Sequence, residues 1–433
     1  MIRYLLIFLI AALPARAIDI QEVTSEGGIT AWLVEEHSIP IVSFEILFKG
    51  GAGVETPETQ GATHLMMGLL EEGAADMDAT AYAEAVETLA ARFSFDSSRD
   101  SVSVDATVLR ENLDASMELL RLALLEPSFD QVAFDRVKGQ VESILRGNAT
   151  DPRSIGSERL FADAFAGHPY ALTIEGTPET LEALTPADME TAHLNALVKS
   201  RVSVGVVGDI TAEELGPLLD KLLGDLPDTG PDLPELTTTQ AAGGVSIIDF
   251  PSPQSNALLA QVSIARDDPD YIAAYVMNHI LGTGFTSRLN QEVREKRGLT
   301  YGVSSFLVPF QFASLHMASL ASENDKMAEA IDVIRAEWSR MATDGVTAEE
   351  LDAAKKYLTG SYVLRFDSNE AIASALAGLQ YGELPINYIN TRNDEVNALT
   401  VEDINRVAAR LLQPDALQIV VVGQPTGLTD TAN

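Results

Sequence analysis

The sequence predicts an α+β protein of two homologous domains, each a mostly antiparallel sheet packed with helices. Three observations carry that reading. The first is a repeat: ALTPAD at 183–188 returns as ALTVED at 398–403, 215 residues on. The apolar strand VSVGVVGD (202–209) likewise returns as LQIVVVGQ (417–424), and the glycine pairs at 27–28 and 243–244 each lead into strand-like sequence. The second is a separator between the copies, LPDTGPDLPELTTTQAAGG (226–244), whose prolines and threonine run read as an extended, exposed connector. The third is that strands and helices come in blocks, without the regular βαβ alternation of a parallel fold. The expected organisation is a leader over 1–17, an N-terminal domain over 18–225, the linker over 226–244 and a C-terminal domain over 245–433.

The elements follow in order. Arg3, an apolar run over 4–13 and the small-x-small site Ala15-Arg16-Ala17 make a secretory signal peptide cut after Ala17. The run is too short to cross a bilayer, and no later apolar run is long enough, so an exported protein, in a bacterial periplasm, is expected. The chain has no cysteine, so its stability there rests on core packing. In the first copy, residues 31–49 hold strand-like runs (IVSFEILF), and 101–108 (SVSVDATV) alternate as a half-buried strand. Apolar residues fall at helical spacing over 61–70, 80–92, 112–124, 130–147, 155–166 and 186–198. In the second copy, a helix over 290–297 ends at Gly298, a natural left-handed C′ residue, and 299–304 opens a strand.

Composition narrows the partners. The 433 residues are 46% hydrophobic, enough for sizeable cores, and carry 64 acidic against 29 basic residues for a net charge of −35. Phosphates would be repelled, which argues against nucleic acid and anionic membranes, whereas basic partners would be attracted.

The chemistry lies first in GATHLMMGLLEEG (61–73). Helix residues four apart share a face, so two histidines at that spacing can grip one zinc ion while a neighbouring glutamate activates the metal-bound water. In the inverted order His-x-x-Glu-His, the places here are His64, Met67 and Gly68. One ligand stands; the base and the second ligand are gone. A thioether takes no proton from water, and glycine offers a metal nothing.

The segment FKGGAGVETPETQGATHLMMGLLEEGA (48–74) resembles the start of the pitrilysin/insulinase family of zinc peptidases, which includes mitochondrial processing peptidase. GHPYALTIEGTPETLEALT (167–185) and TSRLNQEVREKRGLTYGVSS (286–305) are similar to further stretches of that family. The resemblance spans nearly all of the chain after the leader. It implies a clam-shell of two domains around a chamber, with a third zinc ligand, a glutamate, on a later helix. That place falls on Leu145, with Glu142 one turn away. A catalytic zinc needs three protein ligands and a water, so His64 reads as vestigial and this chain as holding no metal of its own.

The resemblance gives Arg294 and Tyr301 another standing: in the family, the matching pair reaches over the zinc site and steadies the developing oxyanion. A helix end followed by a strand head lets both side chains point into one cavity. Some secreted bacterial relatives divide zinc helix and Arg/Tyr pair between two subunits. By that resemblance the chain is the zinc-less subunit of an exported heterodimeric metalloendopeptidase. It would have no independent activity and no cofactor of its own, with zinc in a paralogous partner and peptides as substrates. The alternative is a non-catalytic structural or peptide-binding protein, as with the core subunits of the cytochrome bc complex, which resemble the same family. A third is an autonomous peptidase with unorthodox ligands. Plainer readings stand beside these: His64 as a partly buried helix residue, Arg294 as part of a solvated charge run, Tyr301 as a strand aromatic. The remaining histidines form no motif with one another, His168-Pro-Tyr170 packs a turn, and Met66 and Met67 fill the core.

Overall fold

The structure is a computed structural model that describes residues 18–240 and 243–431; the expected leader lies outside the described residues. The first half runs β1 (Gln21–Thr24), β2 (Thr30–Glu35), β3 (Ile41–Lys49), α1 (Ala62–Leu69), β4 (Gly73–Ala74), β5 (Met77–Asp78), α2 (Ala79–Thr88), β6 (Arg92–Ser97), β7 (Ser101–Leu109), α3 (Leu113–Leu125), α4 (Gln131–Asn148), α5 (Pro152–Ala164), α6 (Pro178–Ala183), α7 (Pro186–Ala196), β8 (Val202–Gly208) and α8 (Ala212–Leu223). The second runs β9 (Gly244–Asp249), β10 (Gln254–Val262), α9 (Tyr271–Gly282), β11 (Val303–Pro309), β12 (Ser314–Glu323), α10 (Met327–Asp344), α11 (Ala348–Gly360), α12 (Asn369–Tyr381), α13 (Tyr388–Ala398), α14 (Val401–Leu411) and β13 (Gln418–Gly423).

The two main sheets have orders β1-β2-β8-β3-β7-β6 and β9-β13-β10-β12-β11. Leave out β1 and they match strand for strand, with one parallel pair in each, β2–β8 and β9–β13. The remaining pairs are antiparallel. The repeat in the sequence is therefore a repeat of topology. Two expected elements are shorter than their patterns. The helix over 80–92 stops at Thr88, because Ala90 turns the chain at φ 49° and Arg92 already pairs with Thr107 of β7. The strand expected from 299 begins only at Val303.

Each sheet buries one face on the helices of its own half, where Ile46, Leu65, Leu120 and Val204 belong to one core and Val276, Ile334, Trp338 and Ile404 to the other. The opposite face of each sheet is covered by a helix from the other half. From the second half, α12 lies on β8 and β3, where Ala373 and Leu376 meet Trp32 and Val207. From the first half, α5 lies on β13 and β10, where Leu160, Phe161 and Ala164 meet Ala260, Val420 and Val422. Cover on both faces explains why β3 is buried at successive positions from Val42 to Ile46, Ser43 and Glu45 included, whereas β7 alternates, with Val102, Val104, Ala106 and Val108 buried.

The connector is extended, but it is stitched down. Arg201 donates to the Pro231 carbonyl, Thr237 N–H donates to Phe312 O at 2.7 Å, and Gln240 N–H donates to Ala164 O at 2.7 Å. A second tie joins the halves through Tyr170, which is fully buried. Its hydroxyl donates to the Asp100 carboxylate and accepts the N–H of Phe312 at 3.0 Å, while the other Asp100 oxygen accepts Gln311 N–H at 2.9 Å.

Candidate functional site

The helix in the zinc position is built first by its N-terminus. Helix starts leave backbone N–H groups without partners. Here buried Glu55 reaches them, accepting Gly61 N–H at 2.9 Å and Thr63 N–H at 2.6 Å. Burial pushes its carboxyl up to about 7, against the pull of those two donors. Nothing in the helical periodicity points to Glu55; only its place between two turn stretches marks it.

On α1, His64 is half-buried and its Nδ1 lies 3.0 Å from the Ser97 hydroxyl. Burial lowers its pKa, opposed by Glu175 and Asp96 nearby, so the ring is neutral at pH 7. Met67 is 1% exposed and belongs to the first core. Gly68 faces α4 so closely that an added Cβ would stand 3.1 Å from a Val137 methyl. Leu145 packs against the same core, and Glu142 is turned to Arg146 at 3.8 Å. Among the described residues no group of three or more acidic or histidine side chains is placed to hold a metal ion. The helix keeps the shape of a zinc helix while its inner positions have been given over to packing.

The second-half residues sit otherwise. Asn290–Glu295 forms a wide turn of π-helix that carries Arg294 in its last turn. Gly298, at φ 61°, closes the helix by donating its N–H to Arg294 O at 2.9 Å, and Leu299 N–H donates to Val293 O at 3.0 Å. The segment is anchored by buried Arg288, whose guanidinium grips Glu350 at 2.7 and 2.8 Å and the Gly345 carbonyl at 2.7 Å. The π turn and this anchor escaped the sequence reading, since neither alters apolar periodicity. Thr300 donates to Ala321 O at 2.6 Å and pins the following loop, leaving Tyr301 85% exposed and ahead of the strand. The plainer reading of Tyr301 as a strand aromatic therefore fails.

Arg294 and Tyr301 line one open cleft of about 350 Å³, together with Gln254, Glu323 and Lys326. Arg294 also stacks its guanidinium 5.3 Å from the ring centroid of Phe285. Tyr301 borders a second cleft of about 710 Å³, across which Arg153 and Gly156 of α5 face the β10–β12 region. The structure thus brings Arg294 and Tyr301 together; His64 lines neither cleft. Two hydrogen-bond donors on a rim open to solvent, one a fixed cation, can hold a carbonyl oxygen and favour negative charge on it.

A twofold α+β unit with a zinc-type helix in its first copy defines a class, and the chain belongs to it: the insulinase family of peptidases, M16. Residues 31–178 match the model of insulinase (peptidase family M16), and residues 183–358 match that of the peptidase M16 inactive domain. Among relatives, the chain is 26% identical to a non-peptidase homologue, YmxG, of Helicobacter pylori, over 93% of each chain. It is 25% identical to a probable mitochondrial-processing peptidase subunit beta of Schizosaccharomyces pombe, over 88% of this chain and 86% of that one. Among solved structures it resembles a peptidase M16 inactive domain from Pseudomonas fluorescens, with TM-score 0.86 and 28% identity, covering 96% of this chain and 100% of that one. The chain is thus a homologue of inactive, non-peptidase members of the family.

Proposed function

We propose that this chain is the zinc-less subunit of an exported, heterodimeric insulinase-family metallopeptidase. The observation that carries the reading is the shared cleft of Arg294 and Tyr301, kept open to solvent in a chain whose zinc helix has turned its inner positions to packing. A paralogous partner would supply the zinc and its activated water. On this chain, the Tyr301 hydroxyl and the Arg294 guanidinium donate to the scissile carbonyl oxygen as it gains charge. The loss of one such donor costs roughly 10²–10³ in turnover. Peptides and unfolded segments are the expected substrates, and the net charge of −35 favours basic ones. The site of action is the periplasm of a bacterium.

A second reading is a peptide-binding protein of the same fold without catalysis, favoured by the name of the Helicobacter relative, a non-peptidase homologue. The test is to purify the chain alone and with a paralogue carrying an intact zinc motif, then measure zinc content and cleavage of a quenched peptide. Cleavage by the pair and not by the single chain supports the first reading. Zinc and activity in the single chain would overturn it, and an inactive pair would leave the binding protein.

A further inference from the structure

We propose that a cleft between α9, α12 and α13 binds a small anion, a carboxylate or phosphate carried on an apolar body. The cleft, about 390 Å³, shares no lining residue with the one that holds Arg294 and Tyr301. By strand and helix order, α9 holds in the second half the place that α1 holds in the first.

Three guanidinium groups line this cleft, those of Arg266, Arg365 and Arg392. The chain has more than two acidic residues for every basic one, yet none of the three forms an ion pair among the described residues. The neighbouring carboxylates are engaged elsewhere: Asp268 pairs with Arg410 at 2.8 Å and Asp270 with Arg406 at 2.7 Å, although both lie within four residues of Arg266.

Tyrosines hold the cleft arginines instead. Arg266 stacks 4.3 Å from the ring centroid of Tyr271 and donates to the Tyr388 hydroxyl at 2.9 Å. Arg392 lies 4.6 Å from the ring centroid of Tyr362 and 5.3 Å from that of Tyr275. Arg365 reaches the Tyr275 hydroxyl at 3.5 Å. Such stacking fixes a guanidinium plane without neutralising it.

Arg392 is the most constrained. It is 5% exposed, and Nη1 donates to Leu358 O at 2.9 Å and to Asn393 Oδ1 at 3.0 Å, while Nε and Nη2 donate to no group among the described residues. A guanidinium keeps its charge when buried, and a buried charge without a counter-charge is costly. A ligand anion removes that cost. Planar forks suit the paired oxygens of a carboxylate or phosphate. The walls made by Ile272, Phe366 and Leu379 suit an aryl or acyl body.

The experiment is calorimetric titration of the purified protein with N-acetylphenylalanine, its neutral amide and phenyl phosphate. The proposal expects at least one of the two anions to bind tenfold or more tightly than the amide. Binding of only one identifies the source of the anion, and binding of both shows that the shared chemistry is what the cleft reads. Arg365 is exposed and Arg266 is half-buried, so Arg365→Gln and Arg266→Gln should fold as wild type, checked by melting temperature, and weaken the anion tenfold or more. Tyr301→Phe should leave the affinity unchanged. Equal weak binding of anions and amide overturns the proposal. So does wild-type affinity in both arginine variants, or loss of binding in Tyr301→Phe, which would place the anion in the other cleft.

Discussion

Gly205 of β8 lies directly beneath the backbone of α12: a Cβ added there would fall 2.1 Å from the carbonyl oxygen of Ala373. The first sheet and the second half's helix therefore touch backbone to backbone, and only glycine permits it. Gly205→Ala must push α12 off the sheet and uncover Trp32 and Val207 beneath it. Overpacking of this kind costs about 1–3 kcal/mol. The reciprocal contact is looser, since a Cβ on Gly156 of α5 would stand 3.3 Å from a Val422 methyl. Gly156→Ala also gains about 1 kcal/mol of helix propensity, so its net effect is near zero. Urea midpoints of the two variants measure the difference, and equal midpoints would remove the backbone contact as the cause.

The pH dependence of stability has a specific source in Glu55. Its folded pKa, about 7, stands above its ordinary value of 4.5, so between those values the folded state holds a proton that the unfolded chain has released. Stability from this group is therefore full below 4.5 and is lost as pH rises through 7, by about 3 kcal/mol at most. Glu55→Gln cannot titrate. Its amide nitrogen would face one of the two N–H donors at the start of α1, which costs about 1 kcal/mol at acid pH. The variant should nonetheless lose less stability than wild type between pH 5 and pH 8. Urea unfolding at both values tests this, and parallel losses would clear Glu55 of the effect.

Much of this architecture was legible because burial writes itself as period. The alternation of Val102, Val104, Ala106 and Val108 gave one strand, and the return of Gly208 as Gly423 gave the duplication. Met67, Gly68 and Leu145 were legible as losses because metal chemistry tolerates few side chains. What stayed hidden depends on contacts distant in sequence. The exchange of α5 and α12 between halves leaves only small residues such as Gly205, which resemble any strand glycine. Glu55 as a helix cap, the π turn under Arg294 and the tyrosine-held arginines of the second half carry no periodic signature at all.

Tyr170 and Asp100 make a second prediction about how the halves hold together. Tyr170→Phe keeps the ring in its apolar setting but removes the hydroxyl that bridges Asp100 and Phe312 N–H. Burial already raises the Asp100 pKa, and the tyrosine's hydrogen bond is the leading opposing influence. Its loss leaves a half-buried carboxylate and a buried N–H short of partners, which costs about 1–3 kcal/mol. Because the tie spans both halves, hydrogen exchange should quicken at Gln311 and Phe312 as well as around Asp100. A change confined to the first half would mean that the bridge does not couple them.

Arg294 and Tyr301 give the prediction on which the catalytic reading turns. Tyr301 is 85% exposed, so Tyr301→Phe should leave the melting temperature unchanged while removing a donor from the cleft rim. In the active pair, turnover should fall roughly 10²-fold, with zinc content and peptide affinity near wild type, as for a group that acts mainly in the transition state. Arg294→Lys keeps the charge but loses the planar fork and its stacking on Phe285, so an intermediate loss is expected. The two substitutions together should cost less than the product of their separate effects, because both donors serve one oxygen. Full independence in a double-mutant cycle would place the two side chains on different parts of the substrate.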